Sequence, residues 1–329
     1  MSLFSFLFRG RKTKEVTRSP SQSESPKVIS FHDKFVEIPS LNFFGPFSKS
    51  QSGEWVICWS DSDAQNHRGG HRESGHGRYI LYNVTQDKFE LQGNLERPNS
   101  GSVADNGNFA IEDWHFGNAL SGTFYVMSSA GRELIKRKFE ANIYNSTISD
   151  TGCFAVCQTA NSPKGNDGNR LTAFDVEKAI ELFSIHPPTG WADSYKFIED
   201  IPKVGVVVNK IGTFYYDILG RFIDSEKFDA ARLRSDRYDV VLLAAEEIVK
   251  APELNDQLAN AALEAAIRAL SLGAEKNQNW KALALKIQGL AHEFLQNNEA
   301  AIAAFDEALL INPKIGVKRK ADSLRKKLK

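Results

Sequence analysis

Three histidines and a glutamate fall within ten residues, in His67-Arg68-Gly69-Gly70-His71-Arg72-Glu73-Ser74-Gly75-His76. Imidazole nitrogens with a carboxylate make the donor set of zinc and nickel sites, so His67, His71 and His76 are the residues through which a metal-assisted hydrolase would work. Against that, a glycine-rich loop preorganises ligands poorly, and no cysteine or ring-orienting partner stands nearby in the sequence. The segment reads instead as a mobile loop inserted into a hairpin, placed to meet a partner. Residues 161–169 form a second insertion of this kind, with oxygen donors in Asn166 and Asp167. Their spacing is not that of a calcium loop and the closing glutamate is missing, so turn chemistry explains them better. Glu112-Asp113-Trp114-His115 sets two carboxylates beside an imidazole, the ingredients of general acid–base hydrolysis. No nucleophile elbow or phosphate-cradling glycine loop accompanies this run, which reads as an outward-facing strand end. His186-Pro187-Pro188-Thr189-Gly190-Trp191 reads as a turn in which Trp191 is packing. No cofactor motif is present.

Charge is the other chemical signal. The net charge is zero over 329 residues, yet residues 1–30 carry six Lys/Arg against two Glu, and residues 314–329 carry eight against one Asp. The ends are therefore +4 and +7 around a body of −11. Such ends suit nucleic acid, anionic lipid or an acidic partner, although most charge runs are simply solvated. Lys318, Arg319, Lys320, Arg325, Lys326 and Lys327 are the candidate nucleic-acid contacts. Three cysteines, Cys58, Cys153 and Cys157, are too few for a disulfide scaffold and read as buried hydrophobes in a reducing compartment. No run approaches the roughly 20 apolar residues of a membrane helix. Leu3-Phe4-Ser5-Phe6-Leu7-Phe8 comes closest, but its basic cluster follows it, which is the wrong order for a secretory signal. The expectation is a cytosolic protein, with docking of this apolar tip on a membrane or partner as the alternative.

The elements that must position these groups show themselves by repetition. Gly122-Thr123-Phe124-Tyr125 returns as Gly212-Thr213-Phe214-Tyr215, with Gly77-Arg78-Tyr79-Ile80 and the looser Gly168-Asn169-Arg170-Leu171 at the intermediate steps. A second register matches Ser102-Val103-Ala104-Asp105-Asn106-Gly107-Asn108-Phe109-Ala110-Ile111 with Thr147-Ile148-Ser149-Asp150-Thr151-Gly152-Cys153-Phe154-Ala155-Val156. Each copy holds a short strand, a turn whose glycine supplies positive φ, and a second apolar strand. Ser52-Gly53-Glu54-Trp55-Val56-Ile57-Cys58 gives a third copy, and residues 195–208 a degenerate fourth in which Pro202-Lys203 replaces the Asp-x-Gly turn. Four units of about four short strands follow. This unit resembles a β-propeller blade of the WD-repeat or quinoprotein-like kind, most closely over residues 149–156, although the Gly-His and Trp-Asp dipeptides of true WD repeats are not in place. A closed four-bladed ring, an open stack, closure by the N-terminal strand and completion by a partner are all compatible with the count.

Near Ser225 strand signals give way to helical ones. Helices are expected at 228–250, 254–272 (ended by Gly273), 279–294, 299–311 (before Pro313) and 316–328. Residues 285–313 resemble a tetratricopeptide repeat: Gly289 takes the small position where two helices cross, His292 the aromatic one, and Ala301, Phe305, Ala308 and Pro313 follow at the family's spacing. Leu285 and Gln288 depart from it. The resemblance implies a groove lined by Leu283, Lys286, Leu290, Glu293 and Phe294 that takes a helical or extended peptide. Because Leu290 stands where the carboxylate-clamp type has Asn, capture of a peptide C-terminus is disfavoured.

The chain therefore reads as an α+β multidomain protein: a basic, Ser-rich disordered tether over 1–30, a propeller-like all-β domain of about four blades over 31–224, and a tetratricopeptide-like helical domain over 225–329. Both resemblances imply surfaces that hold other proteins, hence a non-enzymatic, cytosolic, bacterial adaptor or scaffold subunit. The metal-dependent hydrolase and the nucleic-acid binder are the alternatives.

Overall fold

A computed structural model describes residues 29–328 except 64, 66, 67, 119 and 164. The apolar tip and all but the last two positions of the 1–30 tether lie outside the described residues. Four antiparallel sheets follow one another along the chain. The first comprises β1 (Ser30–Phe31), β2 (Phe35–Ile38), β3 (Phe43–Lys49), β4 (Trp55–Ser60), β5 (Gly77–Asn83) and β6 (Lys88–Leu95). The second is β7 (Pro98–Val103), β8 (Phe109–Trp114), β9 (Gly122–Met127) and β10 (Glu133–Phe139). The third is β11 (Ile143–Ile148), β12 (Phe154–Thr159), β13 (Leu171–Asp175) and β14 (Ile180–Ile185), and the fourth is β15 (Ser194–Ile198), β16 (Lys203–Val208) and β17 (Gly212–Asp217). In every sheet the spatial order follows the chain, so each is an up-and-down meander. The recurring Gly-x-aromatic peptides open β5, β9 and β17 through Gly77, Gly122 and Gly212; β9 and β17 are the third strands of their sheets, and β5 is third when β3 is counted as the first. The turn glycines Gly107 and Gly152 both sit at φ 81°, the conformation for which glycine is needed there.

Stacked faces hold the sheets together. Ile57, Trp59 and Leu81 of the first sheet pack on Phe109, Ile111 and Met127 of the second. The other face of the second, through Ala110, Phe124 and Val126, meets Ala155, Cys157 and Phe174 of the third. The third in turn buries Val156, Ala173 and Phe183 against Val204, Val206 and Tyr216 of the fourth. Middle strands are thus apolar on both faces, as in a buried sheet rather than a solvent-facing one. The turns at one edge are chained as well: Ser52 N donates to Asp105 Oδ1 (2.8 Å), Asp105 N to the Asp150 carbonyl (2.8 Å), and Thr151 Oγ1 to Glu199 (2.6 Å).

The two ends of this propeller-like stack differ. At the first sheet β3 changes partners: Phe43–Pro46 pairs with β2 and Phe47–Lys49 with β4. At the bend, a Cβ on Gly45 would lie 2.1 Å from the Trp59 carbonyl oxygen, so only glycine permits this approach. The bend folds β1 and β2 over the outer face, where Val36, Ile38 and Phe43 cover Val56, Cys58, Ile80 and Tyr82. Inner strands touch in succession, β3 on β7, β7 on β11 and β11 on β15, while the first and fourth sheets share no comparable contact. Among the described residues the first and fourth sheets are therefore the two ends of the stack.

Six helices follow: α1 (Ser225–Arg234), α2 (Tyr238–Lys250), α3 (Asp256–Ser271), α4 (Gln278–Phe294), α5 (Asn298–Ile311) and α6 (Lys318–Lys327). The single helix expected over 228–250 is two. Its interruption is stabilised from outside, because Arg268 of α3 donates to the Leu233 carbonyl (3.0 Å) and the Arg234 carbonyl (3.1 Å), satisfying groups a helix end leaves unpaired. Asn255 and Asn277 cap α3 and α4 through side-chain oxygens that accept from Leu258 N and Trp280 N. Phe228 of α1 packs edge-on against Phe214 and Phe222, joining the helices to the last sheet.

Candidate functional site

In a meander, alternate connections emerge at the same edge. The β4–β5, β8–β9 and β12–β13 connections and the β14–β15 turn therefore gather at one edge of the stack, and this is where the candidate residues of the sequence lie.

The His-rich connection is fastened. Asp61 takes Arg72 Nη1 at 2.8 Å and Arg97 Nε at 3.3 Å, and its second oxygen accepts from Gly70 N at 2.7 Å. Arg72 also donates to the Glu96 carbonyl (2.9 Å) and lies over the Phe116 ring, and its own carbonyl accepts from Gly117 N (3.1 Å). Both guanidiniums are largely shielded from solvent, which raises the value of these charge-assisted bonds. Among its described residues this connection is thus tied by ion pairs to the start of the second sheet. His71 and His76 are exposed, with His76 6.3 Å from the Phe116 ring, while His67 lies outside the described residues. Among the described residues no three His, Cys, Asp or Glu side chains converge on a metal position.

Asp167 fastens the second insertion. It accepts from Glu140 N (2.9 Å), pairs with Arg137 (3.4 Å), and its carbonyl takes the Thr159 hydroxyl. Asn166 is exposed beside it. A cleft of about 380 Å³ opens between this insertion and the β8–β9 connection, bordered by Asn118, Leu120, Ser121, Lys138, Glu140 and Pro163.

Glu112 and Asp113 are buried, at 1% and 3% exposure, which overturns their reading as an outward strand end. Glu112 points into the seam between second and third sheets and accepts from Ser146 Oγ at 2.8 Å. Burial pushes its carboxyl up to about 7, the Ser146 bond offsetting only part of the shift. Asp113, on the opposite face, accepts from Arg97 N at 2.7 Å, and burial raises it to about 6. The two face different seams, so they do not form a carboxylate pair. His115 closes the β8–β9 connection: its ring nitrogens contact Ser121 Oγ (2.9 Å) and Thr123 Oγ1 (2.8 Å), and its N–H donates to the Ser121 carbonyl (3.1 Å). Desolvation lowers its pKa, so it serves as a neutral clamp.

Sequence reasoning missed the aromatic pair at this edge. Trp191, expected as packing, is 49% exposed and stacks on Tyr144, itself 47% exposed, with ring centroids 5.1 Å apart. The indole is nonetheless held: its Nε1 donates to Asn169 Oδ1 (3.1 Å), and Asn169 is locked by a bond to Asn161 (3.1 Å). Buried Gln158 grips the flanking backbone, donating to the Gly190 carbonyl (3.0 Å) and accepting from Ala192 N (2.8 Å). A shallow cleft beside the ring is lined by Gln158, Asn169, His186, Pro187 and Gly190, with no Asp, Glu, Lys or Arg among them.

In the helical region most proposed groove positions are engaged internally. Leu283 packs on the α2–α4 core and Leu290 on the α5–α6 core. Lys286 pairs with Glu246 (2.9 Å) and Glu293 with Lys320 (2.7 Å), which leaves Phe294 as the exposed apolar member. Val317, just before α6, and Ala321 and Leu324 on it are buried; Arg325 pairs with Asp306 and Asp322, whereas Lys318, Arg319, Lys326 and Lys327 are exposed, without an ion pair among the described residues. All three cysteines are free; Cys58 and Cys157 are buried as expected, but Cys153 is partly exposed and its thiol contacts Glu177.

No family model matches this chain, and no curated protein does. Among solved structures it is similar to a chain in the crystal structure of the mitotic checkpoint complex (9% identity, 57% of this chain and 58% of that chain, TM-score 0.36). The Dos1 propeller aligns at 9% identity over 56% of this chain and 61% of that chain, TM-score 0.33. The β-propeller domain of the Trilobed protease from Pyrococcus furiosus, described as having an open velcro topology, aligns at 10% identity over 56% and 54%, TM-score 0.34. The chain thus spans less than two thirds of each of these chains. No helix among the described residues is long and apolar enough to cross a membrane.

Proposed function

We propose that this chain is a protein-interaction module, an adaptor or scaffold subunit acting in the cytosol, whose recognition surface is the loop edge of the blade stack. The observation that carries this reading is the immobilised, half-exposed Trp191 on Tyr144. An exposed indole held by its N–H, by its stacking partner and by both flanking backbone groups has already lost the freedom that binding would otherwise remove, which is how aromatic anchors of interfaces gain their energy. Surroundings without carboxylate, lysine or arginine and internally committed amides favour an extended polypeptide read by ring contact over a ligand read by hydrogen bonds. The helices would present this edge as a rigid tetratricopeptide-type stack, a reading supported by the close Gly289–Phe305 crossing. Contact of nucleic acid with α6 is the second reading, favoured only by its four unpaired basic side chains.

The test is cross-linking capture from the native host with the full chain, alongside Trp191→Ala and Tyr144→Ala. A partner whose recovery drops about tenfold or more with either variant, at unchanged circular dichroism, is the expected outcome. Recovery identical to wild type in both variants removes this surface from consideration.

A further inference from the structure

The first sheet has its outer face covered by β1 and β2, whereas among the described residues no strand lies over the outer face of the fourth sheet. The pairing registers place Ile198, Lys203 and Asp217 in one row of that face, Lys196, Gly205 and Tyr215 in the next, and Val207 beyond. Tyr215 lies on this side, since a Cβ on Gly205 would meet its ring at 2.7 Å. Ile223 joins the row through its N–H bond to the Tyr215 carbonyl (3.1 Å). Ile198 (39%), Ile223 (45%) and, in the adjoining turns, Ile201 (68%) and Leu219 (64%) are all exposed. Ile198, Ile201 and Leu219 thus stand exposed at the turn end of this face and Ile223 across it, with Lys203 and Asp217 in the row between them.

We propose that residues 3–8 of this same chain, Leu3-Phe4-Ser5-Phe6-Leu7-Phe8, are what covers this face. This site is separate from the loop edge and stands or falls independently of it. Three observations commit the assignment. The hexapeptide is the most apolar run outside the described residues, and the N-terminal part of the chain already covers the opposite end of the stack. Twenty residues separate Phe8 from Ile29, a reach of about 65 Å when extended, against roughly 30 Å for four sheets stacked about 10 Å apart. Charge would orient the segment: Arg9, Arg11, Lys12 and Lys14 follow the apolar run directly, and Glu199 and Asp200 occupy the turn that carries Ile201, while Lys196 and Lys203 lie further along the face. Apolar burial would supply the affinity and the charged flank the orientation.

The experiment places a photo-reactive benzoyl-phenylalanine at Phe6 of the full chain, at low micromolar concentration, and maps cross-links by mass spectrometry. Intramolecular cross-links to residues 196–201 and 215–223 are expected. Ile201→Asp and Ile198→Ser, which alter only exposed positions and whose folding is checked by circular dichroism, should abolish them. Three results overturn the proposal: cross-links only between two copies, which assigns the patch to self-association; cross-links only to lipid when phosphatidylglycerol vesicles are present, which assigns the tip to a membrane; or intramolecular cross-links elsewhere that persist in both variants.

Discussion

Burying Glu112 between two sheets raises its carboxyl from 4.5 to about 7. An acid whose folded pKa is raised binds its proton more tightly in the native state. Stability is then full below about 4.5, falls as pH rises toward 7, and levels off above. The shift corresponds to about 3 kcal/mol lost at pH 8 relative to pH 4.5 from this group alone. Glu112→Gln keeps an acceptor for Ser146 Oγ and removes the charge. The variant should therefore unfold at higher denaturant than wild type at pH 8 and match it near pH 5; equal midpoints at both pH values would show the carboxylate to be solvated in the native state. The residue also shows why its burial was hidden. In Phe109-Ala110-Ile111-Glu112-Asp113-Trp114 two adjacent carboxylates after an apolar run look like a strand leaving the core, but β8 is sandwiched on both faces, so neither alternation nor polarity marks the way out.

At the scale of elements, the α4–α5 pair depends on a single missing methyl. A Cβ on Gly289 would sit 2.4 Å from the Phe305 ring, and Phe305 is fully buried. Alanine is the better helix former by about 1 kcal/mol, yet overpacking costs about 1–3 kcal/mol, so the clash decides the sign. Gly289→Ala should lower the thermal midpoint of the helical signal, and Phe305→Leu in the same chain should recover part of the loss; a midpoint that rises would mean the helices can move apart freely. This crossing was legible because small and aromatic residues at fixed spacing carry it. So were the blades, since turn glycines at positive φ and the third-strand peptides repeat. The break at Ser235 was not, for it contains neither Gly nor Pro and is held by Arg268, more than thirty residues later. Trp191 was equally hidden: what fixes it are Gln158, Asn169 and Tyr144, which only the folded sheets bring together.

For the whole molecule, the link between sheets and helices is narrow. Phe228, 6% exposed, packs on Phe214 and Phe222 and is its main apolar contact. Trp280 is the tryptophan of the helical region, the other four belonging to the sheets. Phe228→Ala, a substitution that typically costs about 3–5 kcal/mol in a core, should separate the loss of helical circular dichroism at about 222 nm from the change in tryptophan emission, to which the sheets contribute four of the five rings. Coincident transitions in the variant would place the coupling elsewhere.

The neighbour-to-neighbour order of strands has a consequence in time. Every pairing joins consecutive strands, so no sheet waits for a distant segment, and folding can keep pace with synthesis from the N-terminus. The first sheet and its cover are complete in sequence once Leu95 has left the ribosome, and each later sheet then finds an apolar wall already standing. The nascent chain thus exposes one growing face at a time, and that advancing face is where a chaperone would be needed.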